Sequence, residues 1–195
     1  MQSISNKLLL LHSCKSKLIL NNNFKQFLIP FKNLSLGVHT YRFTIENWFF
    51  EKFDYSEIKK GKIEIKLLLE KQTKMLILNF LIDGFVNIMC DRCLEYFDYP
   101  IKGKNELIVK LGGETYEETE QVLTLSEYEH QIDISQYIYE FICLLLPMKR
   151  IHPVDENGIS KCNKKMIKKI EELKNNKKID HRWDALKKIK KTDKN

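Results

Sequence analysis

Cys90 and Cys93 stand two residues apart in the stretch NIMCDRCLEYFDYP, residues 87–100, of a chain with five cysteines. Three chemistries use such a pair: half of a metal site, a redox couple, or two buried residues where strands turn. A structural zinc ion takes four ligands in a tetrahedron, commonly four cysteines, or three cysteines and one histidine. A Cys-x-x-Cys at a β-turn can present two thiolates to one ion. His152 and Cys162, carried back by the loop after a later helix, could supply the other two. Their spacing is looser than a second Cys-x-x-Cys, and the plain alternative is that all four are ordinary turn and loop residues. The redox chemistry needs the pair at a helix N-terminus, which lowers a thiol pKa. Here the flanks are strand-like and Asp91 places negative charge beside the thiols. Cys90, Cys93, His152 and Cys162 are therefore the candidate ligands of a structural zinc, with no other cofactor indicated. Cys143 lies inside an apolar helical run and is expected in the core.

A second set of residues could bind an anionic partner. The formal charge is +7, unevenly spread: residues 161–195 carry 14 Lys and Arg against 5 Asp and Glu, a net of +9. Lys164, Lys165, Lys168, Lys169, Arg182, Lys187 and Lys188 could neutralise phosphates, which gives strong but sequence-blind affinity for RNA. Arg182 and Trp183 could stack on unpaired bases. The alternatives are a solvated helix face, enriched in lysine by an AT-rich genome, and a protein partner docked through Trp183, Leu186 and Ile189. Nothing indicates an enzyme: there is no Gly-rich phosphate loop and no nucleophile elbow. His39 and His130 stand on strand-like segments without a paired carboxylate motif.

The elements that must position these residues follow from periodicity. His39, Tyr41, Phe43 and Ile45 alternate with Val38, Thr40, Arg42 and Thr44, and Ile63, Ile65, Leu67 and Leu69 mark one face of a later run, so both read as strands. A long apolar run over 74–90 holds Gly84 as a bulge or close approach, and Pro100 pushes the next run towards a sheet edge. Sequential strands joined by short turns favour an antiparallel meander, with the cysteine pair at one turn. The acidic stretch at 112–121 reads as a loop, and 122–134 as one or two short strands. Ile134, Ile138, Phe141, Ile142 and Leu145 give the buried face of a helix, with Asp133 as N-cap and Pro147 as its stop. Met166, Ile167, Ile170 and Leu173 give a further amphipathic helix. The expected fold is α+β, a mainly antiparallel β-sheet with a buried helix and a basic C-terminal helical tail. The expected divisions are an N-terminal extension over 1–23, a domain over 24–160 and the tail over 161–195. Residues 1–45 contain no Asp or Glu, as transit peptides do, but an unstructured extension is favoured. The absence of a secretory signal, of a membrane span and of a disulfide framework points to the cytoplasm and away from membranes.

The run CDRCLEYFDYPI, an acidic loop, then IDISQYIYEFICLLLPMKRIHP and a Cys-Asn pair resembles the YceD family of large ribosomal RNA subunit accumulation proteins. The Cys-x-x-Cys-Leu at 90–94, the Ile-Asp-Ile before the helix, and LLLP followed by a His and a Cys occur in the family's order. The resemblance covers residues 60–165, and FLIPFKNLSLGVH and IDHRWDALKKIKK look like the version found in the Bacteroidetes. The leader over 1–23 departs from the pattern. The resemblance implies a role in accumulating large-subunit (23S) ribosomal RNA and supplies no catalytic mechanism. The implied partners are large-subunit rRNA or a pre-ribosomal particle, bound directly or through a protein that the C-terminal tail engages.

Overall fold

The computed structural model describes residues 22–112, 116–119, 122–126, 128–156 and 158–175. The N-terminal extension up to residue 21 and the C-terminal residues Arg182, Trp183, Leu186, Lys187, Lys188 and Ile189 lie outside the described residues. The fold is α+β, and the described residues fall into two compact units: 22–87 with 98–147, and 88–97 with 148–175.

Side chains that alternate between a buried and an outward-facing side build the first unit. The six-stranded sheet uses β2 (Gly37–Ile45), β3 (Lys60–Lys71), β4 (Met75–Met89), β5 (Tyr96–Leu111), β6 (Tyr116–Thr119) and β7 (Val122–Leu125), in the order β2-β3-β4-β5-β7-β6. β2 and β3 pair antiparallel with Phe43 opposite Ile65, and β3 and β4 with Ile65 opposite Ile82. Ile63, Ile65, Leu67 and Leu69 of β3 and Leu76, Leu78, Phe80 and Ile82 of β4 are all buried, because a period of two puts every second side chain on one face. A second, two-stranded sheet pairs β1 (Leu28–Ile29) antiparallel with β8 (Ile132–Asp133).

Two local features hold β3 and β4 in place. Ile63 lies opposite Gly84, and a Cβ at Gly84 would come within 2.3 Å of the Lys62 carbonyl oxygen. Gly84 is thus the close approach of backbones that its place in an apolar run implied. At the far end of β3, the Lys71 ammonium donates to the carbonyl oxygens of Phe31, Lys32 and Leu34 at 2.9, 3.1 and 2.7 Å. That fork supplies a donor to the carbonyls at the end of the short 3-10 turn Phe31–Asn33.

The short α1 (Asn47–Phe50) buries Phe49 and Phe50, which join Phe24, Phe27 and Phe53 in an aromatic cluster. α2 (Ser135–Leu144) covers the apolar face of the sheet, with the Phe141 ring edge-on to Phe80 at 5.1 Å. Gly103 on β5 makes room for the end of α2, since a Cβ there would meet Leu145 at 2.3 Å. Leu145 and Cys143 are half-buried rather than fully inside.

Three expectations need correction. The acidic stretch after Gly112 is not simply a loop, because it contains β6. The sheet is mixed rather than a pure meander, since β7 runs parallel to β5 with Val109 opposite Leu123. The cause is two reversals: the chain passes out to β6 and returns as β7 between β6 and β5, so β7 regains the direction of β5. Asp133 closes β8, and the N-cap position of α2 is Ile134, but the Asp133 carboxylate still accepts from the Ser135 N–H at 2.8 Å.

Candidate metal centre

The second unit is built on the turn between β4 and β5. Cys90 N–H donates to the Glu95 carbonyl at 2.9 Å, and Leu94 N–H donates to the Cys90 carbonyl at 2.9 Å. This folds residues 90–95 into a knuckle with both thiols on its inner side. The Arg92 N–H points at Cys90 Sγ, 3.4 Å away. Leu94 completes the knuckle with a positive φ of 62°, a conformation that normally selects glycine.

Opposite the knuckle runs the loop of residues 148–163. Asp91 holds it twice: its N–H donates to the Arg150 carbonyl at 2.7 Å, and its carboxylate accepts from the Arg150 N–H at 2.7 Å. That clamp sets His152, whose ring packs on Phe97 at 4.4 Å between centroids. Further on, Val154 bridges Ser160 and returns the chain to Cys162. Asn163 then ties the loop to the knuckle, donating to the Glu95 carboxylate at 2.6 Å. Its amide oxygen accepts from the N–H groups of Lys165 and Met166 and so caps α3 (Lys164–Asn175).

These pieces gather Cys90, Cys93, His152 and Cys162, with all four ligand atoms within 4.8 Å of one another. The three cysteines are buried, and Phe97, Ile151, Met166 and Ile167 pack around them. Cys90 Sγ lies 3.8 Å from Cys162 Sγ, and His152 Nδ1 lies 3.4 Å from Cys93 Sγ and 3.7 Å from Cys162 Sγ. Zinc–sulfur bonds of about 2.3 Å and a zinc–nitrogen bond of about 2.0 Å at tetrahedral angles give edges of roughly 3.8 Å (S···S) and roughly 3.5 Å (S···N). Three of the six separations are close to such edges and the others stay within 4.8 Å, so the donor set suits a tetrahedral soft cation in chemistry and in approximate size. Burial pushes the Cys90 thiol up. The N–H groups of Arg92, Cys93 and His152 and the His152 side chain outweigh it and bring the thiol down to about 6. Burial raises the Cys93 thiol, against the pull of the Asn163 and Glu95 N–H groups, and the neighbouring Cys90 and Cys162 add to the rise.

The structure therefore brings the four sequence candidates together. Lys164, Lys165, Lys168 and Lys169 are all exposed on α3, while Met166 and Ile167 turn towards the cysteines. Cys143 is not part of the cluster. Sequence reasoning missed Asp91 as the clamp of the His152 loop; its charge read only as a neighbour of the thiols. The signal available for Asn163 was an Asn placed directly before a helical run, the usual cap signature.

An α+β chain with a cysteine knuckle, a returning His/Cys loop and a basic helix capped beside them is the class that fold and site define. The chain belongs to the family described as large ribosomal RNA subunit accumulation protein YceD, whose model matches residues 78–190, more than half of its length. The match takes in all four clustered residues and α3, and reaches further into the C-terminal region than the motifs alone indicated. No curated protein and no solved structure gives a significant match. The family's name implies involvement in the accumulation of large ribosomal subunit RNA. Among the described residues, no helix is long and apolar enough to cross a membrane.

Proposed function

We propose that the protein is a non-catalytic, cytoplasmic factor of ribosome biogenesis. It binds precursor 23S rRNA, or an assembling large subunit, through the basic helix α3 and the basic residues that follow it. A structural zinc held by Cys90, Cys93, His152 and Cys162 fixes the start of that helix. The observation that carries the proposal is the coupling of the two features. Cys162 sits two residues before α3, Met166 and Ile167 of the helix cover the thiols, and Lys164, Lys165, Lys168 and Lys169 are left exposed. Zinc would supply folding free energy here, since it would join two chain segments, the knuckle and the returning loop.

Two measurements test this. Freshly purified protein is expected to carry about one equivalent of zinc by elemental analysis, and Cys90→Ser less than about a tenth of that. A wild-type value near zero would remove the metal. Ultraviolet crosslinking in cells, followed by sequencing of the attached RNA, is expected to enrich large-subunit rRNA or its precursor. Presence on large-subunit particles without crosslinked RNA would instead make the protein an adaptor that docks a protein partner through its tail.

A further inference from the structure

The first unit carries a groove of about 420 Å³, lined by Glu46, Asn47, Trp48, Lys60, Gly61, Lys62, Phe85, Asn87 and Asp98. We infer that this groove takes one unpaired nucleotide of RNA, with its base on Phe85, its phosphate between Lys60 and Lys62, and its amino edge towards Asp98. The inference rests on the RNA-binding function proposed above and adds to it a site remote in sequence from the basic tail.

Phe85 is 40% exposed on the side of β4 that faces away from the core. An aromatic ring left in water on a sheet face is a surface on which an unpaired base can stack. Strand register places the cations beside it: Lys62 lies directly opposite Phe85 and Lys60 opposite Asn87, both lysines exposed. Trp48 forms another part of the wall, half-buried and held in place by Phe24 and Phe27 at ring separations of 5.4 and 6.2 Å. The groove is preformed, because the Asn47 side chain accepts from the Gly61 N–H at 3.1 Å and the Asn87 amide donates to Asp98 at 2.7 Å. Two lysines and two carboxylates cancel, so the lining is no trap for a bare anion or a bare cation. Phe85 on β4 has the lysines of β3 on one side and Asp98 of β5 on the other, an order that matches a nucleotide, which is anionic at its phosphate and donates from its base edge. The groove also joins Phe85, Asn87 and Asp98, inside the family match, to Glu46, Trp48, Lys60 and Lys62, outside it.

The test uses the full chain labelled with fluorotryptophan, whose two tryptophans, Trp48 and Trp183, report on the groove and on the tail separately. Oligoadenylate is titrated in while fluorine NMR follows both resonances and anisotropy of a dye on the oligonucleotide follows total binding. The Trp48 resonance is expected to shift saturably. Phe85→Ala is expected to abolish that shift and weaken binding about tenfold, while the dispersed fluorine spectrum of the folded chain is retained. Lys60→Gln with Lys62→Gln is expected to weaken the same response. Binding that leaves Trp48 unmoved and is indifferent to Phe85→Ala overturns the groove while leaving RNA binding intact. An absence of any anisotropy change overturns both.

Discussion

Leu94 shows how a single residue can be set against its own backbone. It holds φ at 62° with 57% of its surface exposed, so burial of its side chain does not account for the choice of leucine over glycine. An L-residue in this region costs roughly 1–2 kcal/mol, partly offset for glycine by its larger unfolded-state entropy. Leu94→Gly is therefore expected to stabilise the protein by roughly 0.5–1 kcal/mol in denaturant unfolding. A loss of stability would mean that the leucine side chain makes an essential contact in the fold. The four clustered residues were legible in the sequence because their types are scarce and chemically distinctive. Asp91 was not, because its role rests on two backbone groups of Arg150, and no side-chain pattern records a backbone partner 59 residues away.

Elements show the same division between local and non-local information. Strands β2 and β3 were legible because alternation is a local property, β4 because a long apolar run is one too, and so was the buried face of α2. The parallel pairing of β5 with β7 was not, because β6 has an acidic composition that reads as loop and its pairing depends on where the chain returns. Gly84 gives the β3–β4 pair its sharpest prediction. The atoms that a Cβ would strike are backbone atoms of Lys62 and Ile63, which cannot rotate away. Gly84→Ala is expected to cost about 3 kcal/mol, read from the urea midpoint. The helix makes a prediction in pH. Burial pushes the Tyr139 phenol up to about 12, where it stacks on Phe53 at 4.2 Å. The folded state keeps this proton while an unfolded chain releases it near pH 10. The stabilisation is thus complete below about pH 10 and lost as pH rises towards 12. Tyr139→Phe should flatten that part of the stability profile, measured by chemical denaturation across the alkaline range.

At the scale of the whole molecule, the distribution of charge matters more than its sum. Residues 1–160 are slightly acidic and residues 161–195 carry the excess, so a polyanion meets a basic segment that begins beside the cysteine cluster. Each phosphate contact to single-stranded RNA adds about 0.7 to the slope of log affinity against log salt. Replacing Lys164, Lys165, Lys168 and Lys169 by Gln together is expected to lower that slope by about 3, measured as RNA affinity between low and moderate salt. An unchanged slope would place the phosphate contacts elsewhere in the chain. This charge asymmetry was legible from composition alone. The anchoring of the basic helix by Met166 and Ile167 was not, since an amphipathic pattern names a buried face without naming what it is buried against.

The two halves of the cysteine cluster also have different birthdays. Cys90 and Cys162 are separated by 72 residues, and translation at about 5–20 residues per second brings the second out several seconds after the first. During that interval a nascent chain exposes a lone pair of neighbouring thiols. The knuckle therefore waits as half a site, and the cluster can close only once the chain has been made as far as Cys162.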